Sequence, residues 1–127
     1  MEVLVDTSVW IDYFQSGKNA AKLDFLIDEN LVVINDLILT KLLPLLVIRN
    51  EKKVIRLLKK IKNNKIKADW QEIVLFQVQC LKSGSSGIGI PNLLIAQNAI
   101  QNQTPIYSID KHFDYMLKAD IGIKKYE

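Results

Sequence analysis

A single cysteine, Cys80, stands in a chain of 127 residues. An intramolecular disulfide is therefore excluded, and the expected setting is a reducing compartment, the cytoplasm. Glycine (five) and proline (three) are also few, and they form no linker, repeat or low-complexity tract. Long apolar runs are missing. The longest charge-poor stretch, Leu37 to Ile48, carries Lys41 and Pro44 and falls far short of the roughly 20 residues that cross a bilayer, so no membrane is expected. The opening MEVLVDTSVW lacks the basic segment, apolar run and small-residue cleavage site of a secretory signal. His112 is the only histidine, and beside Phe113 it reads as an edge residue rather than a general base. Length adds one more exclusion, since single cores usually take on the order of 100–150 residues: the expectation is one domain over residues 1–127.

What is present is apolar enough to fold. Hydrophobic residues make up 49%, too many for a disordered chain. Lysine and arginine (17) exceed aspartate and glutamate (14), giving a net charge of +3 and a hint of a polyanionic partner. The cations concentrate between Glu51 and Lys67, where Val54, Leu57, Leu58 and Ile61 alternate with Lys52, Lys53, Arg56, Lys59 and Lys60. That pattern predicts an amphipathic surface helix with a solvated face, because it lacks interleaved aromatics on which bases stack.

The remaining periodicities predict alternating strands and helices. Glu2 to Val5 and Leu31 to Ile34 read as buried strands, the second followed by capping residues Asn35 and Asp36. Helices are expected from Val9 to Phe14, Asn19 to Asp28 and Leu37 to Ile48, the last kinked or divided at Pro44. Two more run from Trp70 to Lys82, capped by Asp69 and ended by SGSSG, and from Ile90 to Gln101 with Pro91 in its first turn. Pro105 to Ile109 predicts a third strand and Ile121 to Tyr126 a fourth. Cys80, with apolar neighbours and no second thiol, reads as a packed free thiol. Such an order favours an α/β fold with a short, mainly parallel sheet flanked by helices. The first and third strands both end in an aspartate, Asp6 and Asp110. In open α/β sheets ligands sit outside the strand carboxyl ends, so two carboxylates arrive where a hard dication could be shared.

Four segments carry a resemblance: VDTSVWIDYF (Val5 to Phe14), NDLILTKLLPLL (Asn35 to Leu46), GIGIPNLLIAQNA (Gly87 to Ala99) and YSIDKHF (Tyr107 to Phe113). In this order and spacing they resemble the PIN-domain ribonucleases, and among them the VapC-type toxins of VapBC toxin–antitoxin systems. The resemblance covers nearly the whole chain. It implies a PIN-like α/β domain acting as a metal-dependent endoribonuclease, with four acids around Mg²⁺ or Mn²⁺. It also implies an RNA substrate, a homodimer and a cognate VapB-like antitoxin whose carboxyl-terminal segment lies in an apolar groove, often placing a basic residue among the acids. Carried over one position at a time, the first acid falls on Asp6 and the fourth on Asp110. The second falls on Lys41 and the third on Asn92.

Those two departures are not neutral. Asn92 keeps a carbonyl oxygen but loses the charge, and the Lys41 ammonium has three donors and no acceptor. The formal charge of the four positions changes from −4 to −1. The metal ligands left are Asp6, Asn92 and Asp110, with Ser8, Thr40 and Asp114 as secondary candidates for metal waters or phosphate. Lys41 is expected to pair with Asp6 or Asp110. The implied enzyme is thus catalytically disabled, its metal site weak or absent. Because an active RNase toxin harms its host, such changes are readily engineered or selected; the alternative is a naturally degenerate PIN domain that holds RNA or antitoxin without cutting. Glutamate at 41 would remove two charges and aspartate at 92 one more, turning +3 into zero. The basic balance then reflects altered site positions rather than an RNA-binding surface.

Overall fold

The computed structural model describes residues 1–127. Its elements run β1 (Val3–Val5), α1 (Thr7–Phe14), α2 (Ala20–Asp28), β2 (Val32–Ile34), α3 (Asp36–Ile48), α4 (Lys52–Lys60), β3 (Lys62–Asn63), α5 (Trp70–Lys82), α6 (Ile90–Gln101), β4 (Ile106–Tyr107) and α7 (Lys111–Lys118). The sheet order is β3-β2-β1-β4 and every pairing is parallel, with Leu4 of β1 set between Val33 of β2 and Ile106 of β4. Seven helices flank it.

β1 and β2 are buried along their whole length, which is why both read as continuous apolar runs rather than alternating ones. Around them Trp10, Leu23, Leu26, Ile38, Leu58, Leu93 and Met116 complete a core of 29 buried apolar residues. Cys80 belongs to that core, and burial pushes its thiol up from the ordinary range. No helix is long and apolar enough to cross a membrane.

Three expectations need correction. The segment Ile121 to Tyr126 is not a strand: it touches β4 through a single bridge, Ile106 to Lys125, and Gly122 at φ +111° turns the chain out of extended geometry. The fourth strand is β3, two polar residues at the sheet edge, inside the stretch expected to be helical through Lys67. An exposed lysine followed by a half-buried asparagine has no apolar alternation to betray it. Pro44, expected to kink or divide its helix, lies inside an uninterrupted α3. Its ring is exposed while Leu42 and Leu46 on either side are buried, so core contacts outweigh one lost backbone bond. Along α4 no cation lies within ion-pairing distance of a carboxylate, in keeping with a solvated face.

Two tyrosines tie the amino-terminal helices down. Tyr13 of α1 donates its hydroxyl proton to Asp24 of α2, and this hydrogen bond, with burial and the charges of Asp24 and Asp28, pushes its pKa up to about 12. Tyr107 donates to Asn19, and burial first, then Tyr126 and Asp12, push its phenol up. A group whose folded pKa is raised stabilises the fold fully below its unfolded value, about 10 for tyrosine; that contribution is lost as pH climbs through the folded value. In a spectrophotometric titration near 295 nm, Tyr13→Phe should remove the last phenol to ionise. A titration curve unchanged at its alkaline end would contradict the Asp24 contact.

Candidate functional site at the strand carboxyl ends

In this strand order β2 and β3 extend the sheet on one side of β1 while β4 is added on the other, so the order in which the chain lays down its strands switches sides between β1 and β4. Such a switch point leaves a crevice outside the carboxyl ends of the two strands, the ordinary place for a ligand in an open α/β sheet. Asp6 directly follows β1, and Ser108 and Asp110 follow β4. The fold therefore brings the two expected aspartates to one edge.

Asp6 is only 3% exposed and is held by neutral donors. Its Oδ2 accepts from the Ser8 hydroxyl (2.8 Å), the Ser108 hydroxyl (2.9 Å) and, more weakly, the Ser8 amide (3.3 Å). The last bond makes Asp6 the N-cap of α1, so capping and site roles coexist in one residue. The two hydroxyls lie 3.2 Å apart and lock the next turn: Ser8 Oγ accepts from the Ile109 amide (3.1 Å) and Ser108 Oγ from the Asp110 amide (3.0 Å). Two serines thus fasten the loop after β4 to the loop after β1.

Asp110 caps α7 by accepting from the His112 amide at 2.9 Å. His112 Nδ1 lies 3.0 Å from the same oxygen, off the line of a good hydrogen bond. The ring is half-exposed and packs edge-on to Tyr115, the edge position expected of it.

Lys41 and Asn92 also meet. Helices α3 and α6 pack together, and Lys41 Nζ donates to Asn92 Oδ1 at 3.3 Å on the surface. The expected pairing of Lys41 with Asp6 or Asp110 is not the one formed. Asp6 is buried and already has its three donors, and Asp110 is engaged by α7, so the amide oxygen is the acceptor left at the exposed end of a long side chain. Two secondary candidates lie elsewhere. The Thr40 hydroxyl donates to the Asp36 carbonyl one turn back (2.6 Å), and Asp114 pairs with Lys125 at 2.8 Å. Ser8 alone of those candidates belongs to the cluster.

The donor set does not fit a resident dication. No group of three or more histidine, cysteine, aspartate or glutamate side chains is placed to hold a metal ion. The one amide oxygen on offer faces an ammonium, and a hard cation needs several anionic or neutral oxygens converging on it. Asp6 and Asp110 are the two carboxylates at this edge, Asp6 held by both serine hydroxyls and the Asp110 amide by Ser108.

Ser108 was not among the expected site residues. Its signal was a symmetry: Ser8 stands two residues after Asp6, and Ser108 two before Asp110, so each strand delivers one acid and one hydroxyl. Ser108→Ala should strip a donor from a buried carboxylate and an acceptor from the Asp110 amide. The expected loss is about 1–3 kcal/mol, read from urea unfolding at unchanged slope; a shift under about 0.5 kcal/mol would contradict its fastening role.

Beside Lys41 lies a groove of ≈ 240 Å³ between α1, α3 and the start of α4, floored by Ile11, Phe14, Leu42, Leu45, Leu46 and Val54 and also lined by Gln15, Arg49 and Glu51. Six apolar side chains with a few polar ones give a surface suited to an amphipathic segment.

No protein-family model matches the sequence, and no curated protein does. Solved structures do match. A chain of VapBC2 from Rickettsia felis, in a complex bound to a DNA fragment from their promoter, superposes with a TM-score of 0.70 at 16% identity, covering 100% of both chains. At that identity the likeness shows the fold alone, and the fold is PIN-like.

Proposed function

We propose that this chain is the toxin of a VapBC-type pair, built as a metal-dependent endoribonuclease and disabled in the form this sequence takes. The observation that carries the reading is the cluster at the sheet's switch point. Asp6 and Asp110 come to one edge through the Ser8 and Ser108 hydroxyls, while two positions acidic in the resembled family hold a lysine and an asparagine hydrogen-bonded to each other. A full-length PIN-like neighbour supports the fold beneath it.

In an active parent, Mg²⁺ or Mn²⁺ held by four acids would lower the pKa of a bound water and neutralise charge growing on the scissile phosphate. Here the pieces divide. Asp6 is oriented by three donors, and Asp110 is positioned by the amide of His112. Lys41 and Asn92 satisfy one another instead of a cation. The groove beside Lys41 is where a VapB-like antitoxin segment would lie. A basic residue inserted among the acids would meet the Lys41 ammonium, so this form should bind antitoxin more weakly than its acid-restored counterpart.

The test is RNA cleavage by the purified chain in Mg²⁺ or Mn²⁺. Intact RNA is the expected result, and metal-dependent cutting would overturn the disabled half of the reading. The alternative, a degenerate domain that binds RNA without cutting, predicts RNA affinity indifferent to EDTA together with no cleavage even after the acids are restored.

A further inference from the structure

Helices α3 and α4 meet at a tight corner made of Arg49, Asn50 and Glu51. Asn50 turns the chain at φ +57°, and the amides of Asn50 and Glu51 donate back to the carbonyls of Val47 (3.0 Å) and Leu46 (2.9 Å). The corner protrudes: every residue from Val47 to Lys53 is exposed. Two of them are aliphatic. Val47 is 63% exposed and Ile48 79%, the highest value of any large apolar side chain in the protein. Neither lines the groove beside Lys41. Single exposed aliphatics are ordinary, but these two stand side by side at an apex framed by cations. Six of the 17 lysines and arginines lie between Arg49 and Lys60, against one of the 14 aspartates and glutamates, Glu51; elsewhere carboxylates are in excess. At about 100° per residue, Lys52, Lys53, Arg56, Lys59 and Lys60 fill roughly a third of the α4 circumference, opposite the buried Leu58. None of the six cations has a carboxylate within ion-pairing distance.

We propose that this corner docks on an anionic lipid surface, with Val47 and Ile48 entering the boundary between headgroups and acyl chains and the α4 cations lying against acidic headgroups. Both halves of the surface are needed to select that partner. Clustered lysine and arginine are drawn to the negative potential of an acidic leaflet, and their long stems let the charges stay among the headgroups while nearby apolar groups go deeper. Apolar side chains beside a cationic face are what hold a protein in the interface plane once it arrives. A nucleic-acid backbone would use the same cations but offers nothing apolar to Val47 and Ile48, and no aromatic stands among the α4 cations for bases to stack on. Contact of this kind requires no spanning helix, and no helix is long and apolar enough to be one. Asp6, Lys41, Asn92 and Asp110 take no part in it, so it goes beyond the nuclease reading and does not depend on it.

Co-sedimentation of the full chain with vesicles of phosphatidylcholine containing about one third phosphatidylglycerol tests it, beside vesicles of phosphatidylcholine alone. Partition onto the acidic vesicles should exceed that onto the neutral ones at least about 100-fold at ~0.05 M salt and fall steeply by ~0.5 M, where surface charge is screened. Each cation at such a surface gives about fivefold, so Lys52→Gln, Lys53→Gln and Arg56→Gln together should lower the partition about 100-fold. Val47→Ser with Ile48→Ser should lower it at least about fivefold and leave its salt dependence unaltered. Phe25→Ser, at an exposed apolar position on α2, should leave it unchanged. All these side chains are exposed, so circular dichroism and the urea midpoint should stay those of the unaltered chain. A polarity-sensitive fluorophore carried by Ile48→Cys should shift to the blue on acidic vesicles; Cys80 is buried and stays unlabelled. A chain that ignores acidic vesicles overturns the proposal, as does partition that survives the loss of Val47 and Ile48 or a fluorophore that stays in water. Binding of a random-sequence RNA duplex through the α4 cations, with no loss from the two serine changes on either partner, would assign the corner to nucleic acid and overturn it too.

Discussion

Lys41→Glu combined with Asn92→Asp is expected to return metal-dependent RNA cleavage, at least about 10³-fold above the chain as it stands. The magnitude follows from charge. Two unit charges about 4 Å apart interact by roughly 4 kcal/mol at an effective dielectric near 20, and about 1.4 kcal/mol is tenfold in an equilibrium constant; one regained carboxylate–metal contact of that size already gives three orders of magnitude. The two changes should not be additive. Lys41 and Asn92 touch at 3.3 Å, and residues in contact couple. Asn92→Asp alone would hand the ammonium a carboxylate to neutralise, and Lys41→Glu alone would supply one acid beside a neutral amide. Each single change should therefore recover less than a tenth of the double one. Lys41 is exposed and Asn92 half-buried, away from the features whose loss costs stability, so unfolding should not mask the result. Cleavage of several RNAs with Mg²⁺ and with Mn²⁺, together with growth arrest on expression, measures it. A double variant inert on all of them would mean that positions 41 and 92 have been misassigned.

The largest expected loss of stability lies elsewhere, at Asn98. This side chain is 1% exposed and joins three parts of the fold. Its Oδ1 accepts from Asn35 Nδ2 at 3.0 Å, and its Nδ2 donates to the carbonyls of Asn64 (3.0 Å) and Lys65 (3.3 Å). Asn35 in turn caps α3 by accepting from the Ile38 amide at 2.9 Å. One amide thus connects the end of β2, the segment leaving β3 and the middle of α6. Asn98→Ala would leave the Asn35 amide and the Asn64 carbonyl buried without partners, each costing about 1–3 kcal/mol. A loss of about 2–5 kcal/mol is expected, seen as a lower urea midpoint. Asn102→Ala, one turn on and exposed, removes a single bond to the Asn98 carbonyl and should cost well under half as much. Equal costs would contradict the network.

These two results bear on what the amino-acid sequence makes legible. The parallel sheet, its two buried central strands β1 and β2, and the aspartates that follow β1 and β4 are readable, because short apolar runs ended by capping residues stand out from their surroundings. Lys41 and Asn92 come from the family resemblance rather than from any local pattern, and in the fold their side chains hydrogen-bond at 3.3 Å. Other features carry no local signal. Strand β3 is two polar residues at an edge, and the Ile121 to Tyr126 segment is apolar enough to mimic a strand but is diverted at Gly122. Asn98 lies in an apolar helix where an asparagine looks like a flaw, and its value depends on Asn35 and Asn64, distant in sequence. The partner of Lys41, Asn92 rather than an aspartate, is hidden for a similar reason. Nothing local reveals that Ser8 and Ser108 have already satisfied Asp6.

The most direct test of a disabled acidic centre is calorimetric titration of Mn²⁺ into the chain as it stands and into the Lys41→Glu, Asn92→Asp double variant. The account predicts no micromolar binding by the first and micromolar binding by the second. Micromolar binding by the unaltered chain, or none by the double variant, would contradict it.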